Sequence, residues 1–198
     1  MKQIASTAFD KFSLLEHPFY KAWNDGNLTQ SQIAVYAQQY GAFIQQISEG
    51  WTQVGENEIA KEEQEHYALW KKFGRSLNAG EIKATVPQVT ELVDSTKKYF
   101  QSYAGAIGAL YAFEAQQPGT ASSKLQGLRE HYSAWHADET YFIIHAEDFE
   151  EPALLEEKFN SLPAEEELIA QTACEETCSR LWDALTGIME HQEVISMN

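Results

Sequence analysis

Cysteine is scarce in this chain, strand-like alternation is missing, and no apolar run approaches the length of a membrane span. The two cysteines, Cys174 and Cys178, stand four apart in a helical segment, a spacing at which side chains do not meet with disulfide geometry. They are expected to be free, partly buried thiols, which suits a reducing cytoplasm, and redox or metal-binding pairs have a tighter CxxC spacing. With no apolar stretch of roughly eighteen residues, and with an opening, MKQIASTAFDKF, that lacks an apolar run ending in a cleavage site, neither a membrane span nor a secretory signal is expected. Basic residues are also few. The 14 Lys and Arg face 30 Asp and Glu, a formal net charge of −16, which repels nucleic acid and anionic membrane surfaces. Both are excluded as partners.

What is present is bulky and helical. Of the 198 residues 43% are apolar, with ten Phe, nine Tyr and five Trp, enough to fill one core without staples. In LLEHPFYKAWNDGN, apolar and aromatic residues recur every three or four positions until Asn24-Asp25-Gly26 stops the run. Thr29 with Gln32 forms a capping box that opens a helix striped by Ile33, Tyr36, Tyr40, Phe43 and Ile44 and continuing to about Val54. A further helix is expected over Glu56 to Leu77, ended by Asn78-Ala79-Gly80. A long apolar helix follows through TKKYFQSYAGAIGALYAFEAQQ, up to Pro118-Gly119, and its run of Ala and Gly would admit a close neighbour. Three more helices are expected over 121–133, 138–160 and 164–190. The chain therefore reads as all-α, one helical domain over residues 1–198 built as a bundle of about seven helices.

A few polar residues do not fit a bland bundle. Glu114 interrupts the most apolar helix, flanked by Leu110, Tyr111, Phe113 and Ala115, where a carboxylate is costly unless paired, protonated or metal-bound; a narrow solvated face near the helix end is the plainer alternative. Glu62 and His66, four apart, share a helix face at an offset of ~40° and ~6 Å, so both can reach one cation, although the segment holds four glutamates and also suits a solvated face. His145 and Asp148 share a face likewise. Acid and acid–histidine pairs from separate helices are how bundles build dinuclear iron or manganese centres. His17, His131, His136 and His191 are assigned to surface or capping positions, and the acids at 164–167 to a helix N-terminus, where negative charge is favourable.

The stretches LLEHPFYKAWNDGNLTQSQIAVYAQQY, ALYAFEAQQPGTASSKLQGLREHY and YFIIHAED resemble the CADD-like proteins, relatives of TenA and PqqC in the haem-oxygenase-like superfamily. The resemblance covers about residues 10 to 185. It implies a seven-helix haem-oxygenase-like fold, often a homodimer. It also implies a non-haem oxidase with two metal ions, iron or manganese, that uses dioxygen and an external reductant to make 4-aminobenzoate for folate synthesis. In that family a tyrosine is consumed as the source of the aromatic ring and a lysine is the amino donor. Tyr20 in HPFYKAW matches the consumed tyrosine, and Lys124 in PGTASSKLQGL matches the donor. Tyr36 and Tyr141 match tyrosines beside the site, whereas a further family tyrosine is replaced by Phe113. Glu114 and His145 match metal ligands directly.

Two spacings depart from the family. Its first glutamate lies seven residues before its histidine, but here Glu62, or its neighbour Glu63, stands close to His66. Its closing motif, His-x3-Asp-x2-His, reads His145, Phe149 and Pro152 without a gap, or His145, Asp148 and Glu151 with one; Pro152 also invites a kink. The ligand set implied is thus Glu62, His66, Glu114, His145 and Asp148. A metal-poor binding or regulatory protein of the same fold remains the alternative, with a TenA-like hydrolase, which needs a pocket cysteine as nucleophile, as a third.

Overall fold

The computed structural model describes residues 6–196, with side chains over 7–191; Met1 to Ala5, part of the opening read for a secretory signal, lie outside them. Every regular element among the described residues is helical: α1 Ser6–Lys11, α2 Pro18–Asn24, α3 Gln30–Ile44, α4 Ile47–Gln53, α5 Asn57–Ser76, α6 Pro87–Tyr99, α7 Tyr103–Glu114, α8 Gln117–His131, α9 Thr140–His145, α10 Glu150–Asn160 and α11 Ala164–Ser196, with two short 3-10 turns. None is long and apolar enough to cross a membrane.

Local chemistry sets the boundaries. His17 caps α2 by accepting from Phe19 N at 3.0 Å, with Pro18 in the first helical position, where its missing N–H has no helical partner to lose. The Thr29–Gln32 capping box forms as read from sequence. Asn78 closes α5 with φ 60, and Ala79 N returns to Gly74 O at 2.9 Å.

Three expected rods are broken. The helix expected from Thr29 to Val54 turns at Gln45–Gln46 into α3 and α4. The long apolar helix divides before Ser102, whose Oγ accepts from Gly105 N at 3.2 Å and so starts α7 anew. The helix expected over 138–160 ends at His145 and resumes at Glu150. Pro118 does not terminate a helix either; it sits in the first turn of α8.

The axis of the molecule is α7, buried on all sides from Ala104 to Glu114. It packs against α11, α10 and α4, and the buried apolar side chains form one cluster reaching from Ala8 to Ile188. The small residues of α7 do what their size suggests. A Cβ on Gly108 would stand 2.0 Å from the Ala170 carbonyl oxygen of α11, so only glycine permits this crossing. The Gly108→Ala chain is expected to lose about 2–3 kcal/mol of unfolding free energy, read from the urea midpoint; an unchanged midpoint would show that α7 and α11 have room to part.

Candidate functional site

On α5 the buried positions are Ala60, Glu63, Trp70, Phe73 and Gly74, a three-and-four stripe that carries one acid inward. Glu63 is 3% exposed, and its Oε1 lies 2.6 Å from His66 Nδ1. Glu62, about 100° further round the helix, is exposed. Glu62, expected as a ligand, thus faces solvent, and its neighbour Glu63, the other acid the sequence offered, shares the face of Ala60 and Trp70 and turns inward.

His145 comes from the last residue of α9. Its Nδ1 is 2.7 Å from the Tyr141 carbonyl oxygen; a carbonyl can only accept, so Nδ1 carries the proton and the Nε2 lone pair is free. Nε2 stands 3.9 Å from Glu63 Oε1, and the His66 and His145 ring centroids are 4.6 Å apart. Candidate ligand atoms of Glu63, His66 and His145 all lie within 4.8 Å of one another, so one cation can reach all three. Burial pulls the His145 pKa down to about 3, keeping the imidazole neutral, as metal ligation requires. Burial also acts to lower His66, but the hydrogen bond and charge of Glu63 outweigh it and raise the pKa.

Glu114 projects from α7 towards the same place. It is 2% exposed, and its Oε1 has no hydrogen-bond partner. Burial, then the charges of Glu151 and Glu63, push its pKa well up, with only the Trp51 side chain opposing. Glu151, which the gapped reading of the closing motif offered but the expected ligand set left out, lies beside these acids. Because the chain leaves helix at Ala146 and re-enters at Glu150, Glu151 begins a new rod and turns inward, 7% exposed. Burial, then Glu63 and Asp148, raise its pKa to about 9. Pro152 produces no kink, since it falls in the first turn of α10. Asp148 is half-buried, and its Oδ1 accepts from Glu150 N and Glu151 N at 3.2 and 3.5 Å. It caps α10 beside the cluster, whereas the sequence reading made it a ligand on the helix of His145.

A second polar knot lies between α2, α3 and α8. Tyr20 and Lys124 are each 2% exposed and Tyr36 is fully buried. Lys124 Nζ donates to Tyr20 OH at 3.4 Å and to Tyr36 OH at 3.3 Å, and the two hydroxyls are 3.1 Å apart. Among the described residues no carboxylate pairs with Lys124. Its ammonium sits near ring faces instead, 5.0 Å from the Tyr20 centroid and 5.3 Å from that of Phe142. Burial alone lowers its pKa to about 7, so much of the amine is neutral at ordinary pH. Burial likewise raises the pKa values of Tyr20 and Tyr36 and keeps both phenols protonated.

Aromatic residues join the two centres. Tyr40 stacks on Tyr36 with centroids 5.1 Å apart, and its pKa is raised by burial and then by both Tyr20 and Glu114. Tyr141 stacks on His145 at 4.1 Å and accepts from Gln117 Nε2 at 2.7 Å. Tyr40 and Gln117 were not singled out from sequence, because a stripe of aromatics and a polar residue at a helix start look the same in any bundle. Phe113 packs edge-on against Phe43 at 5.1 Å and brings no hydroxyl. Cys174 and Cys178 are free and fully buried on α11, more so than expected. The hydrogen bond to Cys178 and then burial push the Cys174 thiol well up, the reverse of an activated nucleophile.

No protein-family model matches the chain. Its sequence is 31% identical to 4-aminobenzoate synthase of Nitrosomonas europaea, over 96% of this chain and 91% of that one. The chain belongs to the 4-aminobenzoate synthase family. Its members so named also include proteins of Chlamydia pneumoniae, 25% identical over 92% of each chain, and of Chlamydia muridarum, 30% identical over 68% of this chain and 66% of that one. A TenA homologue from Pseudomonas syringae pv. tomato superposes with a TM-score of 0.74 at 14% identity, covering 94% of this chain and 93% of the other. The fold is thus the haem-oxygenase-like bundle, and the chain is a CADD-like member of the TenA/PqqC superfamily.

The acid cluster carries a pH signature. Folded Glu151 keeps its proton up to about 9, whereas the unfolded carboxyl releases it near its ordinary value of 4.5. Across that window the unfolded chain binds fewer protons, so this group's stabilisation is lost as pH rises. In metal-free protein the melting temperature of Glu151→Gln is expected to climb relative to the parent from pH 4.5 to about 9, by several degrees at the alkaline end. A constant difference across that range would mean Glu151 is already ionised when folded.

Proposed function

We propose that this chain is an oxygen-dependent 4-aminobenzoate synthase that draws the aromatic ring of its product from its own Tyr20, with two metal ions, iron or manganese, as cofactors. The observation that carries the reading is the buried contact between Lys124 Nζ and Tyr20 OH at 3.4 Å, with no acid paired to the lysine among the described residues. A lysine sealed from water and left without a counterion favours the free amine, which is the form able to give nitrogen. The names of the relatives, matched over nearly the whole chain, support the product.

The residues present suit a metal pair. Glu63, His66, Glu114, His145 and Glu151 combine imidazole nitrogen with carboxylate oxygen, a donor set appropriate to iron and manganese. Glu114 Oε1, buried without a partner, has the unmet demand that a cation would satisfy. When bound, such a pair supplies the activation of dioxygen. The chain's own side chains do the remainder. Tyr141 holds the His145 tautomer through its carbonyl, Tyr36 orients both Tyr20 and Lys124, and Tyr40 stands between the phenol and the acids. An external reductant completes the requirement, and because Tyr20 is a reactant each chain acts once.

Aerobic incubation with iron and reductant is expected to release at most one 4-aminobenzoate per chain and to leave a mass change confined to the peptide carrying Tyr20. Tyr20→Phe should give none, and Lys124→Met should lose the amine product while still binding metal. The yield rate should rise as pH passes about 7, where Lys124 sheds its proton. Unaltered intact mass with no product overturns this reading, and absence of stoichiometric metal after loading would favour a binding protein of the same fold.

A further inference from the structure

Outside the buried centres, one surface cleft gathers two cations and a single acid. A cleft of about 460 Å³ opens beside α5, walled by Tyr67, Lys71 and Arg75, with Gln45, Glu81 and Ile82 opposite. Tyr67, Lys71 and Arg75 are spaced four apart, so they form a stripe that turns about 40° per step away from Glu63 and out to solvent. Two cations, Lys71 and Arg75, share this lining, and among the described residues no carboxylate pairs with either. The Lys71 ammonium rests over the Tyr67 ring, 4.7 Å from its centroid, and Glu81 is the single acid in the lining.

The cleft also lies one side-chain layer from the tyrosine–lysine knot. Ala37, which follows Tyr36, contributes to its lining. The Ala37 carbonyl accepts from Trp70 Nε1 at 2.9 Å, and Trp70 packs on Tyr36 and Tyr141 with centroids 5.6 and 4.9 Å apart.

We propose that this cleft binds a planar aromatic monocarboxylate, and specifically the 4-aminobenzoate made on the far side of Trp70. Arg75 and Lys71 meet the carboxylate, Arg75 with a fork that matches its geometry. Tyr67 and Ile82 cover the ring, and Gln45 or Glu81 accepts from the amine at its opposite edge. The negative charge of Glu81 and of the chain around the cleft disfavours polyanions, so a singly charged ligand is preferred. The identity of the ligand rests on the proposed function, whereas the charge and shape of the cleft do not.

Titration calorimetry on the full chain, metal-free and anaerobic so that no turnover occurs, tests this with 4-aminobenzoate, benzoate and inorganic phosphate as probes. The expected result is one saturable 4-aminobenzoate site per chain, weakened at least tenfold by Arg75→Ala and by Lys71→Ala, both solvent-exposed positions whose melting temperature serves as the control for folding. Glu81→Gln should narrow the preference for 4-aminobenzoate over benzoate, and equimolar phosphate should not displace the ligand. No saturable binding, binding indifferent to both cation substitutions, or equal displacement by phosphate would overturn the proposal. Because Tyr20 chemistry is silent in this assay, cleft binding by a chain that proves unable to make product would refute the proposed function and leave the site standing.

Discussion

The mutual repulsion of buried carboxylates is the constraint around which this molecule is arranged. Glu63, Glu114 and Glu151 come from three helices into one buried space, where burial and then the charge of Glu63 raise the cost of ionising Glu151, and burial and then the charges of Glu151 and Glu63 raise that of Glu114. A bundle tolerates such a cluster only if protons or cations offset the charge, and only if the surrounding frame is stiff enough to hold the acids together. That stiffness has identifiable origins. The all-round apolar surface of α7 fixes Glu114 in the centre, the Gly108 crossing locks α7 to α11, and the interruption between α9 and α10 lets His145 and Glu151 approach from one stretch of chain at two different angles.

The second polar knot follows the opposite logic. Lys124 is buried among phenols and rings and kept apart from the acids, so its charge is suppressed where theirs is shared. Between the two knots lie Tyr40 and Tyr141, hydroxyl-bearing aromatics whose ionisation is resisted by burial first, then by Tyr20 and Glu114 for Tyr40 and by Glu63 and Glu114 for Tyr141. A net separation of a neutral amine and a carboxylate cluster within one core, bridged by phenols, is an arrangement that packing alone gives no reason to keep.

Much of this was legible in the residues. Glu114 betrayed itself by interrupting an apolar helix, and Tyr20 and Lys124 by the motifs around them; the capping box at Thr29 and the stop at Asn78 formed where their chemistry required. What failed were inferences that needed the helices to run straight. His145 and Asp148 share a face only on a continuous rod, and the turn at 146–149 removes that premise, sending Asp148 to a cap and Glu151 to the interior. Pro152 was informative in the wrong sense, since a proline three residues into a helix marks its beginning as readily as a bend. Glu62 and Glu63 could not be separated by spacing to His66 alone; the separation comes from Ala60 and Trp70, which set the buried side of α5. The cleft beside Tyr67 escaped notice because its walls come from segments far apart in the chain.

The depth at which Tyr20 is set has an outcome for the life of the molecule. Its ring packs against Phe19 and Tyr36 with almost no exposure. If that ring departs as product, the core is left with a void comparable to an aromatic-to-alanine truncation, a penalty of about 3–5 kcal/mol against a total stability of roughly 5–15 kcal/mol. A spent copy would thus differ from a fresh one by its readiness to unfold, so that reaction itself would tag used chains for proteolytic removal and tie supply of the vitamin precursor to continued synthesis of the protein.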